Sequence, residues 1–287
     1  MQSFDSGSLG PRDLLVNGAF CIEERTVLEL LAFVLRAGDL PLTRDELKNR
    51  FGVEDFQYND LSDIFQRLLV EYGNCARYSG LFKDLENICL KLIELSSRAK
   101  QDYDPIFANL KKIFKDEGDT DYLRRLVKQD VDNRLAEIRQ LASTVDTATS
   151  NINDWDNANA DHKYRLTDIV TDIEQRVENT PELKAKRDGF WGNYGDPVWR
   201  LEMSAVIDLI FSKAVIKDFQ LLLGGWNALS NDLTNLGNFI LNNTDPAPGL
   251  LANLEENAII DQWQNLETEV RNLTNNVITP AVRKTTG

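Results

Sequence analysis

The chain has 287 residues, of which 42% are hydrophobic and 27% are charged, and its formal net charge is −14. This composition is that of an ordinary globular protein with a sizeable core, and the acidic balance argues against nucleic acid as a partner, because phosphate binding needs a basic face. Cys21, Cys75 and Cys89 lack metal-ligand spacing. They are expected to be buried thiols, with no disulfide scaffold.

The N-terminal stretch MQSFDSGSLG has neither the basic start nor the apolar core of a secretory signal. No uncharged apolar run approaches the ~20 residues that a membrane-spanning helix needs. The chain is therefore expected to be soluble and to lack a signal peptide, so that it stays in the cytoplasm or leaves by a non-classical route.

Several short helices are predicted for the first 75 residues. VLELLAFVLRAG is typical of an apolar helix that stops at Gly38, and LPLTRDELKNRFG begins a second helix with Thr43 and Glu46 at capping-box spacing. NDLSDIFQRLLVEYG predicts a third helix. The amphipathic pattern from residue 81 to 115 predicts a longer helix that is broken near Asp104 and Pro105.

The clearest pattern follows Gly118, where apolar residues recur every seventh position, without Gly or Pro, from Asp119 to about Glu178. One continuous helix on the order of 90 Å long is predicted. Asn159 and His162 place polar groups in the middle of the seam. They are expected to fix the packing register, and the alternative for His162 is that it senses pH. The two seam positions hold Val131, Ile138, Val145, Ile152, Asn159, Leu166 and Ile173, and Val127, Leu141, Ala148, Trp155, His162 and Ile169.

Two further amphipathic helices are predicted toward the C-terminus, separated by the loop NNTDPAPG. Gly224 and Gly225 interrupt the first of them and form a predicted hinge. WNALSNDLTNL in the first helix matches WQNLETEVRNL in the second, so Trp226 and Trp263 are each expected to dock into a bundle. The two seams are Phe219, Leu222, Trp226, Leu229, Leu233, Leu236 and Ile240, and Ile259, Trp263, Leu266, Val270, Leu273 and Val277.

These elements predict an all-α fold, an elongated antiparallel bundle of long helices with a small head or tip region at one end. Residues 1–80 are predicted to form the short-helix N-terminal part of the tail. Residues 81–180 and 204–287 are predicted to form the long-helix tail bundle, and 181–203 the reversal at the head.

No arrangement of catalytic residues is evident in the sequence. His162 is the single histidine and falls on a packing seam, which leaves little scope for a Ser-His-Asp or Cys-His site. There is no Gly-rich phosphate loop, HExxH motif or paired-cysteine motif. Carboxylates two residues apart, such as Asp130 and Asp132, point to different sides of a helix. We expect no enzymatic activity, no cofactor and no metal site.

Residues 189–211 combine aromatic and apolar side chains between two predicted long helices. Trp and Tyr favour the headgroup level of a bilayer, although Glu182, Asp188 and Asp196 offset the local positive charge. The stretch is predicted either to contact a membrane or to pack as the hydrophobic end of the bundle. The candidate membrane-contacting residues are Phe190, Trp191, Tyr194, Trp199, Met203, Val206, Ile207, Ile210 and Phe211, and the candidate headgroup-binding residues are Lys184, Lys186 and Arg187.

Three segments resemble parts of a known protein family. They are LGPRDLLVNGAFCIEERTVLELLAFVLRAGDLPLTRDELKNRFGV near the N-terminus, LFKDLENICLKLIELSSRAKQDYDPI, and LIFSKAVIK at 209–217. These segments resemble the α-pore-forming toxins of the cytolysin A type and, more specifically, the A subunit of xenorhabdolysin-like binary toxins. In order, the three segments resemble the N-terminal part of that family's subunit, the start of its tail bundle, and the segment through which the chain passes from the head back into the tail.

The resemblance implies a soluble component of a helical pore-forming toxin, which associates with target-cell membranes through an aromatic and apolar tip and causes cytolysis as an oligomer. The implied partners are membrane lipid, a second toxin subunit and further copies of this chain. Six charged residues lie between Val198 and Leu223, whereas the head segment in that family is strongly apolar. Each charge at the bilayer centre costs about 2.5–3.5 kcal/mol, so either a partner subunit spans the bilayer or pore formation has been lost.

The alternative function is that of a cytoplasmic helical scaffold, which binds other proteins through its coiled-coil faces and has no membrane activity.

Overall fold

A computed structural model describes residues 9–51, 55–76, 80–186, 213–242 and 256–286. The described residues are overwhelmingly helical, and the predicted all-α bundle is confirmed.

The chain enters the bundle through a 3-10 turn, Arg12–Leu14, followed by the antiparallel strands β1 (Leu15–Val16) and β2 (Ala19–Phe20). A π-helical turn, Thr274–Ile278, joins the last two helices. In chain order the helices are α1 (Glu24–Gly38), α2 (Arg44–Phe51), α3 (Asp55–Asp60), α4 (Ser62–Ala76), α5 (Leu81–Ser97), α6 (Ala99–Phe114), α7 (Thr120–Asn179), α8 (Pro181–Lys186), α9 (Lys213–Asn242), α10 (Glu256–Leu273) and α11 (Thr279–Thr286).

The described residues fall into two compact units. Unit 1 takes those within Met1–Val27, Lys83–Ser150 and Ala214–Pro280, and unit 2 takes those within Leu28–Phe82, Asn151–Lys213 and Ala281–Gly287. The predicted division into N-terminal part, tail bundle and head stays a prediction.

The 60-residue helix α7 confirms the longest helix predicted from the heptads. Its start is defined locally, because Gly118 adopts a left-handed conformation with φ of 87°, and Asp119 then caps the helix by accepting a hydrogen bond from the backbone N–H of Tyr122 at 3.0 Å. The predicted seam is buried from Val127 to Ile169 wherever its side chains are described, which leaves out Asn159.

In unit 1, the long pattern that starts at residue 81 forms two helices, α5 and α6, that run antiparallel to the first half of α7. Arg98 at their junction contacts Glu137 at 2.5 Å. The predicted break near Asp104 and Pro105 is wrong, because the chain breaks at Arg98 and Pro105 lies inside α6. A proline within a helix removes one backbone hydrogen bond, and the buried side chains of α6 on both sides of Pro105 hold the helix together.

The seams of α9 and α10 supply much of the remaining core of unit 1. Trp226 on α9 and Trp263 on α10 are both fully buried, which confirms that each Trp docks into the bundle. Burying an aromatic ring of this size is among the largest single contributions that a side chain makes to a core.

In unit 2, α4 runs antiparallel to the second half of α7. Three surface contacts define the pairing: Arg67 lies 2.8 Å from Asp168 and 2.6 Å from Asp172, and Arg176 lies 3.2 Å from Asp63. Beneath them, apolar side chains of α2, α4, α7 and α8, with Leu61 between α3 and α4, form one core. Its buried members are Leu47, Leu61, Ile64, Phe65, Leu68, Tyr72, Leu166, Ile169, Val177 and Leu183.

The predicted capping box at the start of α2 is present. Glu46 accepts a hydrogen bond from the backbone N–H of Thr43 at 3.0 Å, and the hydroxyl of Thr43 accepts one from the backbone N–H of Glu46 at 3.3 Å. Backbone N–H groups of Leu42 and Thr43 lower the pKa of the Glu46 carboxyl because they stabilise its charged form.

Candidate functional site

The predicted membrane-contacting residues, Phe190, Trp191, Tyr194, Trp199, Met203, Val206, Ile207, Ile210 and Phe211, lie outside the described residues, as does Arg187. Their contact with lipid stays a prediction. The described chain reaches this stretch at the C-terminal end of α8 and resumes at the N-terminal end of α9.

Helix α8 is attached to the core of unit 2 through Leu183, which is 2% exposed. Lys184 beside it forms an ion pair with Glu178 near the end of α7. The side chain of Lys186 is outside the described set. Of the three predicted headgroup-binding residues, Lys184 therefore has its charge balanced by a neighbouring carboxylate.

The two predicted hinge glycines have different surroundings, although α9 runs without interruption through both. A Cβ atom at Gly224 would meet nothing within 4 Å, whereas a Cβ at Gly225 would lie 2.7 Å from Cδ2 of Leu14. A side chain at Gly225 would therefore force Leu14 of the N-terminal segment to shift. Bending at these residues stays a prediction.

A buried polar pair joins α4 and α7 in unit 2. Nδ1 of His162 lies 2.6 Å from Oε2 of Glu71, and both side chains are 7% exposed. Arg165 donates a hydrogen bond from Nη1 to Oε1 of the same carboxylate at 3.3 Å. Two donors from α7 therefore converge on one carboxylate of α4, and the burial of the pair makes it a structural contact rather than an accessible acid–base site.

Glu71 was not singled out in the sequence, but a signal was present. On α4, buried Ile64, Leu68 and Cys75 define the apolar face, and Glu71 falls at a buried position of the same spacing. Since carboxylates are almost never fully buried unless they are paired, a Glu on such a face predicts a buried partner.

A second buried polar cluster lies in unit 1 around Arg134, which is 2% exposed. Its Nη1 donates to the backbone oxygen of Leu95 at 3.0 Å and to Oδ2 of Asp102 at 2.8 Å. The guanidinium carbon lies 4.8 Å from the ring centroid of Trp263 and 5.2 Å from that of Tyr103. These distances are those of cation–π contacts, which strengthen when the cation is removed from water.

Burial raises the pKa of the Tyr103 phenol, and the charge of Arg134 acts in the opposite direction. Arg134 occupies the heptad position that follows Val127 and precedes Leu141. The heptad pattern therefore places a charge in the seam, which is the sequence signal for this cluster.

A surface groove of about 270 Å³ adjoins this region of unit 1. Its charged lining residues are Lys91, Arg98, Glu94 and Glu137, and the pair between Arg98 and Glu137 lies across it. Because two cations face two anions, the groove has no net charge with which to select an anionic or cationic ligand.

Among the residues that the structure covers, no group of three or more His, Cys, Asp or Glu side chains is arranged to hold a metal ion. Within the same residues, no helix combines the length and apolar character needed to cross a bilayer.

The three cysteines are free and buried, as predicted. Burial raises the pKa of Cys21 and Cys89 to about 12 and that of Cys75 to about 11, from an ordinary value of 9.0. Neighbouring carboxylates add to the effect, Asp218 at Cys21 and Glu71 at Cys75. The thiols therefore stay protonated, and so unreactive, in the folded protein near neutral pH.

These pKa shifts predict a loss of stability in alkaline solution. A thiol whose folded pKa is raised keeps its proton on folding, so its contribution is complete below pH 9.0 and declines as pH rises toward about 11 for Cys75. Between pH 9.0 and about 11, the unfolding free energy of Cys75→Ala is expected to fall less steeply with pH than that of the wild type. The two slopes should differ by about 1.4 kcal/mol per pH unit. Urea unfolding at a series of pH values checks this, and parallel curves for both proteins would contradict it.

No protein-family model and no curated protein sequence matches the chain. Among solved structures, the chain is similar to XaxA (xenorhabdolysin A) from Xenorhabdus nematophila, with 12% sequence identity and a TM-score of 0.34. The similarity covers 92% of this chain and 98% of that chain. At this identity and TM-score the likeness is distant and carries no argument about the activity of this chain.

Proposed function

We propose that the chain is a component of a helical pore-forming toxin, which contacts membranes through residues 189–211 and assembles with a partner subunit. The observation that carries the proposal is the aromatic and apolar sequence of this stretch, which lies in the chain between the helical segments α8 and α9. The sequence resemblance to xenorhabdolysin-like A subunits supports the same assignment.

The composition of residues 189–211 favours an interfacial position in the bilayer. Trp191, Tyr194 and Trp199 each combine an apolar ring with a polar edge, a combination that is most stable at the headgroup level. Lys186 and Arg187 precede them, and a basic residue near an anionic surface contributes about 1 kcal/mol.

Charges interrupt the apolar residues of the same stretch. Arg200, Ser204, Asp208 and Ser212 recur every fourth residue and would form a polar stripe on a helix. A helix with one polar and one apolar face lies in the membrane surface rather than across it. We therefore assign membrane recognition to this chain and the spanning of the bilayer to the partner subunit.

The helical bundle is the conformation of the chain before it binds a membrane. Buried seams on α7, α9 and α10 stabilise this state. Lipid or a partner that binds a second arrangement more tightly shifts the population toward that arrangement, by no more than the difference in its two affinities.

Vesicle binding tests this function. The chain is incubated with vesicles of phosphatidylcholine, with and without phosphatidylserine, and association is measured by co-sedimentation and dye leakage. The double variant Trp191→Ala, Trp199→Ala is expected to bind at least tenfold more weakly, because each ring loses the burial of a large apolar surface. Its circular dichroism is expected to match that of the wild type.

Tyr122→Ala, Tyr164→Ala provides the matched control, since it also removes two aromatic rings that are 52% and 76% exposed. This variant is expected to bind vesicles like the wild type. Absence of wild-type association with every vesicle, or equal binding by the Trp191 and Trp199 variant, would overturn the membrane function. Stable protein complexes under those conditions would favour the scaffold function.

A further inference from the structure

The N-terminal segment 9–23, which we call the latch, is part of unit 1 but forms few backbone hydrogen bonds of its own. β1 and β2 pair Leu15 with Phe20 and Val16 with Ala19. Two more backbone bonds lie within the segment, from the N–H of Cys21 to Leu14 and from the N–H of Leu14 to Pro11, both at 3.0 Å. Asn17 and Gly18 form the turn between them, with φ of 54° and 84°, as the tight hairpin turn requires. A two-stranded hairpin of this size is not stable by itself in water.

The latch is attached to α9 and α10 through its ends and its turn. The indole Nε1 of Trp263 donates to the backbone oxygen of Leu9 at 3.0 Å, and Nδ2 of Asn265 donates to that of Gly18 at 3.1 Å. At the other end, the backbone N–H of Glu23 donates to Oδ2 of Asp218 at 3.3 Å. Side chains of two helices therefore hold a segment with little secondary structure of its own.

The centre of the latch is seated on the predicted hinge. Leu14 is 1% exposed and occupies the space above Gly225 in which a Cβ atom would lie. A glycine inside a helix costs about 1 kcal/mol relative to alanine, and the position of Leu14 accounts for that cost at Gly225. Gly224 beside it borders open space and has no such packing requirement.

The latch contains a cysteine that can report its opening. Cys21 directly follows β2, is 5% exposed, and lies close enough to Asp218 on α9 for the carboxylate to raise its pKa. Cys89 is buried on α5 in the same unit, and Cys75 is buried on α4 in unit 2. Cys89 lies near Cys21, but its thiol forms a hydrogen bond with Thr274, outside the latch, and Cys75 lies in the other unit. Opening of the latch alone is therefore expected to expose Cys21 first.

We propose that residues 9–23 are a conformational latch, which opens while the helices beneath it stay folded and which, when closed, holds α9 straight at Gly225. Opening of this segment breaks its own contacts with α9 and α10 but leaves the hydrogen bonds within those helices intact, so it costs less free energy than unfolding of the whole unit. Opening uncovers an apolar surface of α9 and α10 and frees the Gly224–Gly225 pair to bend. The latch concerns the chain in solution and does not depend on lipid binding.

Thiol labelling of the intact chain tests the latch. N-ethylmaleimide is added at neutral pH, and peptide mass spectrometry follows the three cysteines in one sample. Cys21 is expected to label at least tenfold faster than Cys89. Low urea should raise the rate at Cys21 less steeply than the rate at Cys89, because opening of the latch exposes a smaller surface than global unfolding does.

Two pairs of variants separate the latch from general destabilisation. Gly225→Ala displaces Leu14 and is expected to raise the labelling rate at Cys21 about five- to tenfold, whereas Gly224→Ala adds a methyl group to open space and should not. Asn265→Ala removes the bond to the turn and should act like Gly225→Ala, and Arg271→Ala, on the exposed side of α10, should not. Equal labelling rates at Cys21 and Cys89, or equal acceleration of all three cysteines in Gly225→Ala and Asn265→Ala, would overturn the proposal.

Discussion

Trp263→Ala is expected to lower the unfolding free energy of unit 1 by about 3–5 kcal/mol, the range for truncating a fully buried large aromatic residue. Three contacts would be lost together: the burial of the ring, its cation–π contact with Arg134, and the hydrogen bond from Nε1 to Leu9. Urea unfolding followed by circular dichroism at 222 nm measures the change, with hydrogen exchange of α10 peptides to assign it to unit 1.

The tryptophan on α9 provides a matched control that separates the hydrogen bond from the packing. Trp226 is equally buried, but its Nε1 donates no hydrogen bond to any part of the chain that the structure describes. Trp263→Phe should therefore cost about 1–3 kcal/mol more than Trp226→Phe, because it leaves the buried oxygen of Leu9 without its donor. Equal costs for the two phenylalanine variants would contradict this account of Trp263.

His162→Ala is expected to destabilise unit 2 by about 1–3 kcal/mol, because it leaves the buried carboxylate of Glu71 without its nearest hydrogen-bond partner. Arg165 remains 3.3 Å away, but its side chain is 53% exposed and it reaches only the other carboxylate oxygen. Denaturant unfolding combined with hydrogen exchange of α4 and the second half of α7 measures the loss.

A double-mutant cycle isolates the contact between the two residues. Glu71→Ala, His162→Ala should cost less than the sum of the single variants, since removing both partners leaves no buried unpaired group. The control is Arg67→Ala, which lies on α4 like Glu71 but contacts Asp168 and Asp172 on the surface. It should cost less than about 1 kcal/mol. An equally small loss for His162→Ala would show that the buried pair does not stabilise unit 2.

The heptad analysis predicted α7 and its buried positions because side-chain periodicity depends only on helix geometry. The same periodicity runs through Arg134 and His162, which occupy one heptad position with Val127, Leu141 and Ile169. Both polar residues are buried, and each pairs with a carboxylate on another helix. Burial was therefore predictable from the chain, whereas the identities of Asp102 and Glu71 as partners depend on how the helices are paired.

Two local features were predicted wrongly in the N-terminal half, for different reasons. Asn17-Gly18 between short apolar runs is a strong hairpin signal, and the helical prediction for the first 75 residues overlooked it. Pro105 was expected to break the helix, since a proline inside a helix loses one hydrogen bond and clashes with the preceding turn, at a cost of about 3 kcal/mol. Burial of α6 on both sides of Pro105 outweighs that cost. The first error was avoidable from sequence, whereas the second required the packing.

The sequence by itself determined that this protein is helical, where its long helices run and which faces they bury, because those properties follow from the spacing of apolar residues along each helix. Tertiary structure alone decided the partners of the buried charges, and it decided that Leu14 packs directly against Gly225. Such contacts join residues far apart in the chain. Their energies depend on distances and on exclusion of water, neither of which a single helical pattern contains.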